Sequence, residues 1–198
     1  MSENKNFEEL GKDCTYCKQC GGACCKRSGC HFSPDDFEEI SFEYLKDKIE
    51  STGYISIDWW EGDPREENVN DEERLSRGLF LRMRHRKSAN PILDPFSGLA
   101  ALLSDTLDRV DTDEPGPIVD AAWGGRCVLH TDEGCPMEYE KRPKGARWLI
   151  AKTRPCIPCN DAYSKQQCVI DWIPYQDILL KLEEYFKDKG DIPVKEYK

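Results

Sequence analysis

Six cysteines fall within seventeen residues, at Cys14, Cys17, Cys20, Cys24, Cys25 and Cys30, in a stretch otherwise rich in Gly, Lys and Gln. A segment with so few apolar side chains cannot offset the entropy of ordering its backbone by burial, so it needs a ligand to hold a shape. Disulfides are one way to use many thiols. However, the N-terminal residues MSENKNFEELGKDC contain no apolar h-region, so the expectation is a cytoplasmic chain in a reducing compartment, where disulfide frameworks are rare. The total of 11 cysteines is odd, which a fully paired monomer would not have. Metal ligation is the remaining common use.

The run Cys14-x-x-Cys17-x-x-Cys20-x-x-x-Cys24 has the ligand spacing of a bacterial ferredoxin-type [4Fe–4S] site, with Cys25 where a proline normally follows. Short C-x-x-C loops let two thiolates converge on one metal, and Gly21 and Gly22 relieve backbone crowding around several sulfurs. The same geometry suits tetrahedral zinc, so spacing leaves the identity open between an iron–sulfur cluster and zinc. Burial as small hydrophobes accounts for one or two leftover cysteines better than for six so close together. His31 is a possible ligand beside Cys30, although a lone histidine is more often a hydrogen-bonding residue.

The chain carries 28 basic and 38 acidic side chains, a net charge of −10, which would repel a polyphosphate backbone. Nucleic acid is therefore not an expected partner. No stretch approaches the roughly 20 apolar residues that cross a bilayer, so no membrane partner is expected either. An unidentified protein partner is. A length of 198 residues predicts one domain over 1–198. Within it, 1–31 forms the N-terminal cysteine loops and 61–78 is an acidic surface loop.

The expected fold class is α+β: a small, irregular, metal-stabilised domain with a helix after the cysteine cluster, a few short strands and a long C-terminal helix. Ser33-Pro34-Asp35-Asp36 reads as a helix start, continued by Phe37, Ile40, Tyr44, Leu45 and Ile49 and ended by Gly53. Tyr54 to Trp60 alternates as a strand. Leu79 to Arg86 suggests a second strand with a largely basic face, and the strip Arg82, Arg84, Arg86 and Lys87 reads as solvated, with recognition of an anionic ligand or an acidic partner as the alternative. Leu99 to Val110 is a helix candidate, Asp111 to Pro117 a polar connection, and Arg126 to His130 a strand ended by the turn at 132–134. Ser164 and Gln167 form a capping box for the helix over 164–190, which Pro174 should kink or divide. Most tryptophans are expected in the core.

Beyond spacing, Cys17-Lys-Gln-Cys20-Gly-Gly-Ala-Cys24-Cys25 resembles the signature of the YkgJ-type cysteine-cluster family, described as zinc- or iron-chelating domains. A second element of that family, a cysteine on a strand followed by G-C-P and then R-P, is similar to Cys127-Val-Leu-His-Thr-Asp-Glu-Gly-Cys135-Pro, with Arg142-Pro143 after it. The resemblance implies that Cys127 and Cys135 join the N-terminal cluster at a common centre. Where the family usually has a cysteine before an arginine, this chain has Ala146-Arg147. The thiolate missing there can be supplied by the further C-x-x-C pair, Cys156 and Cys159. Cys168 is either another ligand or a packing residue.

The candidate ligands suffice for at least one centre, and two are expected. Three functions follow: a [4Fe–4S] protein in a redox or metallocentre-maturation role, a structural zinc module for protein–protein interaction, or a protein-modifying enzyme related to flagellin lysine methylase. The last ranks lowest, because the chain has no G-x-G-x-x-G or P-loop motif and only three histidines.

Overall fold

The computed structural model describes residues 30–60, 78–88, 111–119, 126–132, 134–150, 160–161 and 163–197. The N-terminal cysteine loops up to residue 29, most of the expected acidic loop, the 99–110 helix candidate and Cys156 and Cys159 lie outside these residues. The architecture is mixed α+β with antiparallel strand pairs. A three-stranded sheet has the order β1 (His31–Phe32), β3 (Gly78–Met83), β2 (Ile55–Trp60). β4 (Arg86–Ser88) pairs with β5 (Asp111–Pro115), and β6 (Leu149–Ile150) with β7 (Asn160–Asp161). The helices are α1 (Phe42–Thr52), α2 (Lys144–Arg147), α3 (Lys165–Trp172) and α4 (Gln176–Lys189). No helix among the described residues is long and apolar enough to cross a membrane.

β3 is the spine of the molecule, and all six of its residues are buried. Its neighbour β2 runs alongside for its full length, from Ile55 opposite Met83 to Trp60 opposite Gly78. Helices α3 and α4 pack on this sheet, and α1 packs on α4. Leu45, Ile49, Ile55, Ile57, Leu79, Phe80, Leu81, Trp172, Leu179 and Leu182 form the centre of the core. Trp172 is wholly buried, while Trp59, Trp60 and Trp148 line the core's edge.

On the other side of β3, β1 lines up with Leu81 and Arg82 and then turns away at Ser33 into a 3-10 turn over Pro34–Asp36. The Gln176 carboxamide takes over there. Its Oε1 accepts from the Leu79 N–H and its Nε2 donates to the Leu79 carbonyl, both at 2.8 Å. The Phe32 carbonyl receives the Trp172 indole N–H at 2.8 Å and the Cys168 thiol at 3.1 Å, which ties β1 to α3.

The helix expected from Ser33 starts later. Ser41 is its N-cap, accepting from the Tyr44 N–H, and Gly53 ends it in a left-handed conformation as expected. The Ser33 region is diverted because the Asp36 carboxylate serves a distant element. It accepts the N–H of Lys144 at 2.9 Å and pairs with Arg147 at 2.9 Å, capping α2, whose own N-cap residue Pro143 offers no side-chain acceptor. Burial pushes the Asp36 carboxyl up, against the downward pull of those donors.

Three other expectations are corrected. Asp111 to Pro115 is a strand, despite its polar sequence, because it completes a ladder with 86–88. Arg126 to His130 holds a single bridge at Cys127 rather than a strand, although the turn after it forms, with Thr131 and Gly134 exchanging two backbone bonds at 3.0 Å. The supposed solvated basic face is inside at Arg82, 3% exposed, and Arg84, 0% exposed, whereas Arg86 is half-buried and Lys87 exposed. The C-terminal helix is present and is divided at Pro174 by a 3-10 turn over Ile173–Tyr175.

Candidate metal centre

The described candidate ligands are Cys30, Cys127 and Cys135; Cys14, Cys17, Cys20, Cys24, Cys25, Cys156 and Cys159 lie outside the described residues. Cys30 and Cys127 are buried and Cys135 is half-buried. Although 97 positions separate them in sequence, Cys30 and Cys127 pair with the same stretch of chain at and just beyond the end of β3. The Cys30 carbonyl accepts from the Met83 N–H at 2.7 Å, and Cys127 bridges His85. Their strand partners are thus two residues apart, a rise of roughly 7 Å.

Arg84, between those partners, makes this possible. In a regular antiparallel strand the N–H and C=O of one residue face the same neighbour. Arg84 instead donates its N–H to Tyr54 at 2.7 Å and accepts with its carbonyl from Val128 at 3.0 Å. The irregularity lets the 126–128 segment take up pairing where β1 leaves off. Cys135 directly follows the Thr131–Gly134 turn, in which Gly134 has a φ of 107° that a side chain would disfavour.

All three histidines of the chain are buried, and each lies close to one of these cysteines in sequence or register. His31 follows Cys30, and its Nε2 donates to the Tyr163 carbonyl at 2.7 Å. Burial, more than the nearby Lys165, holds its pKa down to about 4, so the ring is neutral. His85 lies opposite Cys127 and contacts the Arg82 guanidinium. His130 donates its backbone N–H to the Cys127 carbonyl at 3.0 Å and accepts at Nδ1 from Arg126 Nε at 3.2 Å. Four arginines surround this strand end, and each has an aspartate partner: Arg82 with Asp58 at 2.7 Å, Arg84 with Asp191 at 3.3 Å, Arg86 with Asp113 at 2.8 Å and Arg126 with Asp132 at 3.2 Å. The acids therefore come from four separate segments.

Buried thiols are the donors that a thiolate-bound metal uses, while the charges of the nearby guanidinium groups are already balanced by aspartates. Among the described residues, no group of three or more His, Cys, Asp or Glu side chains is arranged to hold a metal ion. Cys168 belongs elsewhere: it is wholly buried in α3, with its thiol directed at the Phe32 carbonyl. Ala146, at the position where a family cysteine is usual, lies in α2. There Gly145 presses so closely on β1 that an added Cβ would stand 2.7 Å from the His31 carbonyl oxygen.

Sequence reasoning missed His85 and His130. The spacing Cys127-x-x-His130 was a usable signal, whereas nothing local marks His85. The chain matches no family model, no curated protein and no solved structure. The likeness to the YkgJ-type family is accordingly carried by its motif residues alone.

Proposed function

We propose that this chain is a cysteine-ligated metal protein holding one or two centres, of the [4Fe–4S] type, in a redox or metallocentre-maturation role. The observation that carries the reading is the pairing of the buried Cys30 with Met83 at the end of β3 and of the buried Cys127 with His85, two residues further along the chain. Buried cysteines distant in sequence whose backbones pair with residues 83 and 85 fit a shared centre. The ferredoxin-like spacing from Cys14 to Cys24 supplies further thiolates in the same N-terminal segment that leads into Cys30. When bound, the cluster would supply one-electron chemistry. The chain's own part is to present its thiolates, whose surroundings in such sites tune potential and ligand basicity.

Elemental analysis and an absorption spectrum of protein purified without oxygen test this. Roughly four irons per chain with broad absorption near 400 nm is the expected result. Colourless protein holding zinc would replace it with a structural, partner-binding module. Less than about half an equivalent of both metals would refute metal binding altogether.

A further inference from the structure

We infer that segment 191–197, which follows α4, is a positioning strap that holds Cys30 and Cys127 in register through the buried side chain of Arg84. The segment crosses the turn between α1 and β2. Its Pro193 carbonyl occupies the space beside Gly53, where an added Cβ would come within 2.2 Å. The Lys195 N–H donates to the Thr52 carbonyl at 3.0 Å, and the Tyr197 ring lies 6.3 Å from that of Tyr54. Asp191 accepts from the Ile118 N–H at 3.0 Å.

Arg84 joins these contacts to the cysteines. Its guanidinium donates to the carbonyls of Ile192 at 2.6 Å, Gly53 at 3.0 Å and Gly116, and pairs with Asp191. Its backbone is the point at which strand pairing passes from β1, which carries Cys30, to the segment that carries Cys127. A side chain held from three directions keeps that residue in its irregular conformation. Release of the strap removes one of the three and loosens the backbone between Met83 and His85. Segment 191–197 would then govern the cysteine pair without touching it. The importance of that control for metal retention rests on the function proposed above, but the mechanical coupling does not.

The test uses the full-length chain, reduced and stripped of metal by a chelator, with iodoacetamide as probe and peptide mass spectrometry to follow each thiol. Wild type is compared with Asp191→Ala and with Asp191→Ala/Tyr197→Ala. Cys30 and Cys127 should be alkylated roughly tenfold faster in the variants, as expected for local opening, while Cys168 in the core stays at its wild-type rate. Asp191→Glu should restore the slow rate. Parallel acceleration of all three thiols would overturn the inference, since it would report only lost global stability. Unchanged rates at Cys30 and Cys127 would overturn it as well. Because the probe reads metal-free protein, a wild-type chain that never binds metal refutes the proposed function and leaves this result standing.

Discussion

Replacement of Arg84 by methionine keeps the aliphatic stem and removes the guanidinium. Arg84 is wholly buried, and three carbonyls, of Gly53, Gly116 and Ile192, depend on it. Gly53 and Gly116 are themselves buried. Each buried acceptor left without a donor costs about 1–3 kcal/mol. Against this, the variant no longer has to desolvate a cation, which recovers part of the loss. Asp191, half exposed, is rehydrated when its partner goes, so its ion pair adds little. The balance is a destabilisation of about 3 kcal/mol, or roughly 6–12 °C in Tm for a chain of this size. Arg84→Lys, which retains a charge but not the fork of donors, should lose about half as much. Asp191→Asn should lose less than about 1 kcal/mol. Urea denaturation of the three variants checks the order. Arg84→Met costing less than about 1 kcal/mol, or Asp191→Asn costing as much as Arg84→Met, would refute the assignment of the carbonyl clamp as the main term.

Three further outcomes are expected. Cys20→Ser and Cys24→Ser should each lower metal content and make the N-terminal segment more sensitive to protease, as read by metal analysis and limited proteolysis; unchanged values in both would argue against their ligand role. Cys168→Ala should leave metal content intact while costing about 1–2 kcal/mol in denaturant melts, through the lost hydrogen bond and a small cavity; loss of metal would return Cys168 to the ligand set. Gly145→Ala should destabilise by about 1–3 kcal/mol, because the new methyl group meets backbone rather than a yielding side chain; a neutral effect would mean that α2 can shift away from β1.

Where local chemistry determines structure, the sequence was legible. The Gly53 stop, the Ser164 cap and the division at Pro174 each depend on a residue and its immediate neighbours, and all three are present. The start of α1 was misplaced because Asp36 looks like a first-turn acid until its partners at 144–147 are known. The strand at Asp111–Pro115 has no hydrophobic alternation to reveal it, since its pairing with 86–88 and its charge contacts are non-local. The same reason hid the arginines: three charges on alternate positions read as a wet face, and only the fold brings Asp58, Asp113 and Asp191 to meet them. Of the candidate site, the motifs indicated which cysteines to consider, while the pairing of Cys30 and Cys127 with residues only two apart depends on a backbone irregularity at Arg84 that no local pattern encodes.

The carboxamide of Gln176 has a consequence for how copies of this protein coexist at high concentration. A strand whose neighbour is only two residues long would ordinarily display unpaired backbone groups that invite another chain to dock and propagate into an aggregate. By presenting one acceptor and one donor to Leu79, Gln176 imitates a single peptide unit of the missing strand, and being a side chain it offers no further edge to extend. The ladder is terminated rather than merely shortened, so growth by strand addition has no starting point at that position.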